Sequence, residues 1–238
     1  MIKLVLLIPV YNEEDNIVKI FSLIKKTAIR YPNFQINLVF HNDNSNDNTL
    51  DKIKQESDNT YFKTTVLNTN TQNLGHGKSL LKLFNFVKEN EYDFVVTLDA
   101  DIKLNDDDFI NLFQNFNNKV YIGKRARFKD GIFRAFITFL LEIVLFFKLG
   151  KFWRDVNCPI RIYPYKEYIN LWKNVPSDSI IPNVHITKLV IKSNINFDRV
   201  GIIESIVSKN AGVTWQDKNI ISKYRKILRF CFKALKEI

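Results

Sequence analysis

The chain has 238 residues, of which 46% are hydrophobic, and it carries a formal net charge of +10. The apolar fraction is sufficient for the core of one large domain, and the two cysteines exclude a disulfide-rich secreted fold and are typical of a reducing compartment. The positive charge favours an anionic partner, such as a phosphate group, a nucleic acid or a lipid headgroup surface.

The N-terminal residues predict a buried strand followed by a helix. Residues 2–10 form a continuous apolar run, as expected for a parallel strand covered on both faces. The run is short, and acidic residues follow it without a small-residue cleavage site, which argues against a signal peptide and favours a first buried strand. The next stretch, from Asn12 to Tyr31, predicts a helix with Asn12 as its N-cap.

Strands and helices then alternate through the first half of the chain. This alternation predicts an open, mostly parallel α/β sheet flanked by helices, whose ligands bind beyond the carboxyl ends of the strands. Three loops are expected to converge at that edge, namely residues 11–15, 41–47 and 99–103. The further predicted strands are 36–40, 62–67, 94–98 and 120–123, and the further predicted helices are 49–57, 78–90 and 106–116.

Two amphipathic segments distinguish the second half of the chain. Residues 132–147 are apolar and aromatic apart from a polar stripe of Arg134, Thr138 and Glu142, and they are fewer than the roughly 20 residues of a membrane-spanning helix. The segment fits a core helix, an oligomer interface or a helix on a membrane surface, and the sequence leaves these three open. Residues 216–238 predict a basic amphipathic helix, suited either to an anionic membrane or to packing on its own domain.

Asp99 and Asp101 are the clearest candidates for a functional site. They follow the strand predicted at 94–98 and are one residue apart. Two carboxylates at the carboxyl edge of a sheet can hold Mg²⁺ or Mn²⁺ against a diphosphate, because these cations prefer oxygen ligands and often share them with substrate phosphates. Taken alone, the pair also fits ordinary acidic turn residues, so the accompanying motifs decide between the two.

Four segments together resemble the family 2 glycosyltransferases, which have the GT-A fold. Their order and spacing carry the resemblance, which covers about residues 2–125 well and continues more loosely to about residue 214. The segments are residues 8–14 (Ile-Pro-Val-Tyr-Asn-Glu-Glu), 42–49 (Asn-Asp-Asn-Ser-Asn-Asp-Asn-Thr), 73–78 (Asn-Leu-Gly-His-Gly-Lys) and 98–101 (Leu-Asp-Ala-Asp).

The resemblance implies roles for residues on the donor side. In this family the residues after the first strand surround the base and ribose of the nucleotide sugar, here a UDP- or GDP-sugar. Asp43 would contact the nucleoside, and Asn44 can adopt the left-handed turn of the glycine that the family has there. Asp99 and Asp101 would bind the nucleotide sugar through Mg²⁺ or Mn²⁺, which neutralises the leaving diphosphate. The residues after the first strand are Pro9, Tyr11 and Glu13.

The later part of the chain resembles one branch of the family, the polyprenyl-phosphate sugar synthases. The matching motifs are residues 123–125, 155–161 and 209–214. In that branch the acceptor is a lipid phosphate held by basic residues. Because such an acceptor is already anionic, it needs orientation more than it needs a general base. The implied acceptor-phosphate ligands are Arg125, Arg161 and Lys209.

Two alternatives remain open. A hydroxyl acceptor on a cell-surface glycan or a lipid-linked oligosaccharide would need a base, for which Asp155 is the placed candidate. A non-catalytic nucleotide-sugar or membrane-binding protein is conceivable because residues depart from the family pattern, namely Asn42, Lys103 and Pro159. The predicted catalytic residues are Asp101, Asp155 and Arg161.

The sequence therefore predicts an inverting hexosyltransferase that acts on dolichyl or undecaprenyl phosphate, peripheral on the cytoplasmic face of a membrane. Nucleic acid is not an expected partner, because no known binding module is found, and self-association is left open. The three histidines lack metal-ligand spacing and are taken as structural. The predicted GT-A domain spans residues 1–215, with a nucleotide-sugar half at about 1–125 and an acceptor half at about 126–215, before the helix at 216–238.

Overall fold

Seven strands form one sheet in the part of the chain that the computed structural model describes. The described residues are 1–60, 62–69, 71–101, 104–114, 117–125, 142–143, 146–148, 150, 153–193, 195–202, 229, 233 and 236–237. The strands are β1 (Ile2–Val10), β2 (Phe34–Asn42), β3 (Lys63–Asn68), β4 (Phe94–Thr97), β5 (Val120–Arg125), β6 (Arg161–Pro164) and β7 (Phe197–Ile202). Their order across the sheet is β3-β2-β1-β4-β6-β5-β7.

Helices cover both faces of this sheet. They are α1 (Glu14–Arg30), α2 (Thr49–Asp58), α3 (His76–Val87), α4 (Asp106–Asn111), α5 (Tyr165–Trp172) and α6 (Pro182–Lys192). Successive side chains of a strand point to opposite faces, so β1 contributes Leu4 and Leu6 to the core beneath α1, and Val5 and Leu7 to the core beneath α3, α5 and α6. Burial on both faces explains why β1 is a continuous apolar run.

The direction of the strands brings the two predicted halves of the site to one edge. β3, β2, β1 and β4 are mutually parallel, whereas β6 is antiparallel to both β4 and β5. β5 is consequently parallel to β4, and both strands end at the same edge, where β6 begins. Arg161, the first residue of β6, pairs with Thr97 of β4 and with Ile122 of β5. Asp99, Arg125 and the loop before β6 therefore share that edge.

Several predicted element ends need correction. Asn12 is not the N-cap of α1: the helix begins at Glu14, and Asn12 has a φ of 55°, in the left-handed region. α3 begins at His76 and ends at Val87, earlier than predicted at both ends. α4 is capped by Asn105 and ends at Asn111, whereas the sequence predicted a helix as far as residue 116.

The two amphipathic segments lie largely outside the described residues. Within residues 142–143 and 146–148, Glu142 is buried, whereas Phe146 and Phe147 are exposed. None of the helices in the described part of the chain is long and apolar enough to cross a membrane. The predicted domain bounds at residues 125 and 215 stay a prediction.

Candidate active site

Hydrogen bonds join the first two predicted loops at the sheet edge. The Asn12 N–H donates to Ser45 Oγ at 3.0 Å, and Asn12 Oδ1 accepts from the Asn46 N–H at 2.8 Å. The Glu13 N–H donates to Thr49 Oγ1 at 2.8 Å. The left-handed conformation of Asn12 directs its side chain across to the second loop, which is why Asn12 cannot serve as a helix cap. The predicted convergence of these loops is confirmed.

Asp43 binds the loop before α3 and holds it at the same edge. Its side chain is only 3% exposed, and its oxygens accept the N–H groups of Leu74 at 2.8 Å and Gly75 at 2.7 Å. The carboxylate predicted to contact a nucleoside thus already binds two backbone amides. Asn44 has a φ of 61°, so the predicted left-handed turn at this position is confirmed.

The entry into α3 places a histidine beside Asp99. Gly77 packs so closely on the backbone of Ile180 that a Cβ atom would lie 2.7 Å from the Ile180 carbonyl. This contact fixes the first turn of α3, where His76 Nε2 lies 3.8 Å from Asp99 Oδ1. The sequence interpretation of His76 as structural missed this position. The available signal was its place in the third family-like segment, residues 73–78.

The acidic residues at this edge are electrostatically crowded. Burial raises the pKa of Glu13 to about 7; the hydrogen bond from Asn16 opposes this shift, and the charges of Asp101 and Asp99 add to it. Burial also raises the pKa of Asp99, an effect that His76 opposes and Asp101 strengthens. Among the described residues, Asp99 Oδ1 is buried without a hydrogen-bond partner. A bound cation would relieve both the crowding and the unpartnered oxygen.

The donor atoms fit a divalent cation shared with a substrate. Within the described ranges, no three His, Cys, Asp or Glu side chains form a group that could hold a metal alone. The protein would therefore supply Asp99 and Asp101, and a diphosphate would supply further oxygens, as is common for Mg²⁺. The other predicted donor residues lie alongside: Pro9 is buried at the end of β1, and Tyr11 is partly exposed in the loop that follows.

Arg125 and Asp155 form a bidentate ion pair. These two residues and the loop before β6 are called the acceptor side below. Arg125 Nε donates to Asp155 Oδ2 at 2.9 Å, and Arg125 Nη2 donates to Asp155 Oδ1 at 2.8 Å. The Arg125 N–H also donates to Asp155 Oδ2 at 2.9 Å. Asp155 is 2% exposed, and the Arg125 charge opposes, less than His76 does, the rise that burial causes in the pKa of Asp99. Arg125 thus links the acceptor side to the donor carboxylates.

Arg161 differs from the prediction that it holds an acceptor phosphate. Its side chain is 0% exposed, and it donates to the carbonyls of Cys158 and Val156, each at 2.8 Å, and to Thr187 Oγ1 at 3.0 Å. An arginine enclosed by carbonyls stabilises the loop before β6, which argues against direct phosphate contact. Lys209 and Lys103 lie outside the described residues.

The sheet topology and the carboxylates at its edge define a GT-A-type α/β protein, as predicted. The family model for Glycosyl transferase family 2 matches residues 5–168, and the chain belongs to this family. The predicted enzyme class, a glycosyltransferase, is thereby confirmed.

Known relatives extend this comparison. An uncharacterized protein of Methanocaldococcus jannaschii is 27% identical over 169 residues, 67% of this chain and 70% of that protein. Mannosyl-3-phosphoglycerate synthase from Rubrobacter xylanophilus has a TM-score of 0.66 at 14% identity, covering 98% of this chain and 73% of that chain. Glucosyl-3-phosphoglycerate synthase from Mycobacterium tuberculosis, in complex with Mn²⁺, UDP-glucose and phosphoglyceric acid, has a TM-score of 0.61 at 11% identity, covering 99% and 80%.

A mannosyltransferase from Pyrobaculum calidifontis, in complex with GDP-mannose and Mn²⁺, has a TM-score of 0.60 at 15% identity, covering 98% of this chain and 68% of that chain. At such identities the likeness to solved structures establishes the shared fold. It confirms the predicted GT-A-type sheet, while the substrates of those enzymes remain their own.

Proposed function

We propose that this enzyme transfers a hexose, with inversion, from a UDP- or GDP-sugar to a polyprenyl phosphate at the cytoplasmic face of a membrane. Structurally similar enzymes are bound to UDP-glucose or GDP-mannose together with Mn²⁺, which supports the donor class. The loop after β1, with Pro9, Tyr11 and Glu13, would surround the nucleoside.

On the donor side, the carboxylates of Asp99 and Asp101 would hold the cation against the diphosphate. Mg²⁺ or Mn²⁺, when bound, supplies charge neutralisation for the leaving group. His76 Nε2 lies 3.8 Å from Asp99 Oδ1 and would help to orient that carboxylate. The hydrogen-bonded loops of Asn12 and Asp43 keep this edge preorganised, so little rearrangement would be needed when charge develops on the diphosphate.

One observation carries the choice of acceptor: the carboxylate of Asp155 is committed to Arg125. A hydroxyl acceptor needs a base to remove its proton, and Asp155, the predicted base, is 2% exposed with both oxygens bonded to Arg125. A phosphate acceptor is already anionic and needs only orientation. Asp155 would accordingly act by orienting Arg125, whose guanidinium suits phosphate, and Lys209 stays a candidate second ligand.

Exposed groups support a peripheral location on the membrane. The aromatic rings of Phe146 and Phe147 are 42% and 80% exposed, and Lys148 follows them. In the C-terminal segment, exposed basic residues recur at helical spacing: Arg229, Lys233 and Lys236. Apolar rings beside basic side chains are the combination that binds anionic lipid surfaces.

Acceptor competition tests the proposed reaction. Purified enzyme would be given UDP-glucose or GDP-mannose with Mn²⁺, and either undecaprenyl phosphate or 3-phosphoglycerate, the product being identified by mass spectrometry. We expect a metal-dependent lipid-linked hexosyl phosphate product. Transfer to 3-phosphoglycerate instead, matching the names of two similar enzymes, would reject the lipid acceptor while retaining the donor chemistry.

Vesicle sedimentation tests the membrane surface separately. Phe146→Ser with Phe147→Ser should lower binding to vesicles containing phosphatidylglycerol by about 10-fold or more, because exposed rings lose their apolar contact. Val18→Ser with Ile29→Ser is the matched control, since these α1 residues are 52% and 76% exposed elsewhere on the surface. Equal loss in both variants would argue against a specific docking face.

A further inference from the structure

The turn before β6 contains a residue in a strained conformation. Asp155 has a φ of 54°, in the left-handed region that non-glycine residues seldom occupy. Such strain persists only where the surrounding structure over-determines it. Arg125 holds the Asp155 side chain, and Arg161 donates to the carbonyls further along the turn at Val156 and Cys158.

Two other charged residues hold the peptide unit that enters the strained residue. The Asp155 N–H donates to Glu142 Oε1 at 3.0 Å. The carbonyl of Arg154 accepts from Arg199 Nη2 at 2.5 Å. This N–H and this carbonyl belong to the same planar peptide unit, so an anion binds its donor and a cation binds its acceptor. Both bonds are charge-assisted and therefore stronger than neutral ones.

Both residues of this clamp are themselves held in place. Glu142 is 8% exposed. The Arg199 guanidinium lies 4.5 Å from the ring centre of Trp153, which is 5% exposed, a distance suited to a cation–π contact. The clamp fixes the peptide plane on one side of the Asp155 N–Cα bond, and the bonds to Arg125 hold the Asp155 side chain on the other side, so together they restrict the φ of Asp155. That angle in turn sets where the Asp155 carboxylate meets Arg125.

We propose that Glu142 and Arg199 are positioning residues for the transfer reaction: they clamp the Arg154–Asp155 peptide unit so that Asp155 orients Arg125 toward the acceptor phosphate. This inference rests on the acceptor role proposed above for Arg125 and Asp155. Glu142 and Arg199 need not touch either substrate.

A double-mutant cycle tests the clamp. Arg199→Met and Glu142→Ala should each lower kcat for transfer to undecaprenyl phosphate by about 10–100-fold, because small misplacements of a positioning group are costly. The dissociation constant for the nucleotide with Mn²⁺ should stay within about twofold, since the donor side is untouched. The double variant should be little worse than either single one, because both act on one peptide unit. Glu142→Gln, which keeps an acceptor oxygen, should recover much of the activity.

Two controls separate positioning from stability and from the choice of acceptor. Ile24→Val, in the core beneath α1, should lower Tm without lowering kcat. Additive losses in the cycle, or losses that follow Tm alone, would overturn the clamp.

Amide hydrogen exchange of residues 153–160 needs no acceptor and should be faster in both single variants. Faster exchange in an enzyme that transfers nothing to undecaprenyl phosphate would support the clamp and reject the lipid acceptor; unchanged exchange would overturn the clamp.

Discussion

The donor side and the acceptor side of the site satisfy their charged groups in opposite ways. On the donor side, burial raises the pKa of Glu13 to about 7, with the charges of Asp101 and Asp99 adding to the effect, and one buried oxygen of Asp99 has no hydrogen-bond partner among the described residues. On the acceptor side, Asp155 and Arg125 neutralise each other through two parallel hydrogen bonds.

The proposed function explains this contrast by what each side would bind. Crowded carboxylates are costly without a neutralising cation, so under the proposed function a metal and a diphosphate would relieve the charge repulsion on the donor side. The proposed anionic acceptor would instead need a positive group held at a fixed place, and Arg125, which is paired with Asp155 and 16% exposed, would provide this with little rearrangement. On this proposal the two sides differ because one would bind a cation with a diphosphate and the other an anionic acceptor.

Breaking the ion pair of the acceptor side should have the largest effect. Arg125→Met leaves the buried Asp155 carboxylate without this partner, and removing one member of a buried pair costs about 3–5 kcal/mol of stability. Adding Asp155→Asn removes the charge, and Asn tolerates the left-handed conformation, so the double variant should recover at least half of the loss. Urea denaturation measures both. A double variant as unstable as Arg125→Met would show that charge pairing is not what stabilises this side.

Removing a donor carboxylate should abolish most turnover. Asp101→Ala is expected to lower nucleotide release in the presence of Mn²⁺ by about 10²–10³-fold, the usual range for losing one stabilising group on a developing charge. Stability should hold or rise, because a crowded charge is lost. Asp107→Ala is the matched control, since Asp107 is exposed on nearby α4. A loss below tenfold in Asp101→Ala would contradict the proposed metal site.

The two sides also differ in how well the sequence predicts them. The donor loops directly follow strands whose apolar runs are plain in the sequence, and parallel strands bring their carboxyl ends together. Local spacing was therefore enough to predict that the loops containing Asp43 and Asp99 converge. It was not enough for Asn12, whose side chain bonds to Asn46 across the site, nor for His76, which is placed by the packing of Gly77 on Ile180.

The acceptor side depends on a topology that local patterns do not reveal. β6 is only four residues long and inserts antiparallel between β4 and β5, so it buries Arg161 completely. The sequence suggested phosphate contact because residues 155–161 resemble a motif of the polyprenyl-phosphate branch, and arginine is usually an exposed residue. Arg199 lies 45 residues after Arg154 in the sequence and reaches its carbonyl because β7 pairs with β5; no motif indicates it.

A smaller change tests whether the donor side depends on the packing of α3. Gly77→Ala would place a Cβ atom 2.7 Å from the Ile180 backbone, and forcing extra volume into a packed site costs about 1–3 kcal/mol. The displaced first turn should also weaken nucleotide binding, measured by calorimetry with Mn²⁺. Gly201→Ala is the control, because a Cβ atom there meets nothing within 4 Å. Unchanged affinity in Gly77→Ala would separate α3 from the donor side.

The smallest expected effect is a pH dependence of stability from His41, beneath the donor loops. His41 is 1% exposed, and burial lowers its pKa below 6.5, an effect that Asp43 opposes and Lys82 adds to. Below about pH 6.5 the unfolded chain binds the proton more readily, so this contribution to stability is complete above that pH and is lost as the pH falls. Glu13, with its raised pKa, acts in the opposite direction over pH 4.5 to about 7.

The difference between the wild type and His41→Gln separates the two contributions, because Glu13 acts equally in both proteins. Plotted from pH 5 to pH 8, the free energy of unfolding of the wild type should rise more steeply than that of the variant. Glutamine can still bond to Thr69, the partner of His41 Nε2 at 3.1 Å, so the comparison reports charge rather than a lost hydrogen bond. Parallel curves would mean that His41 binds its proton equally well in the folded and the unfolded chain. The pKa shifts of the donor side would then be confined to its carboxylates.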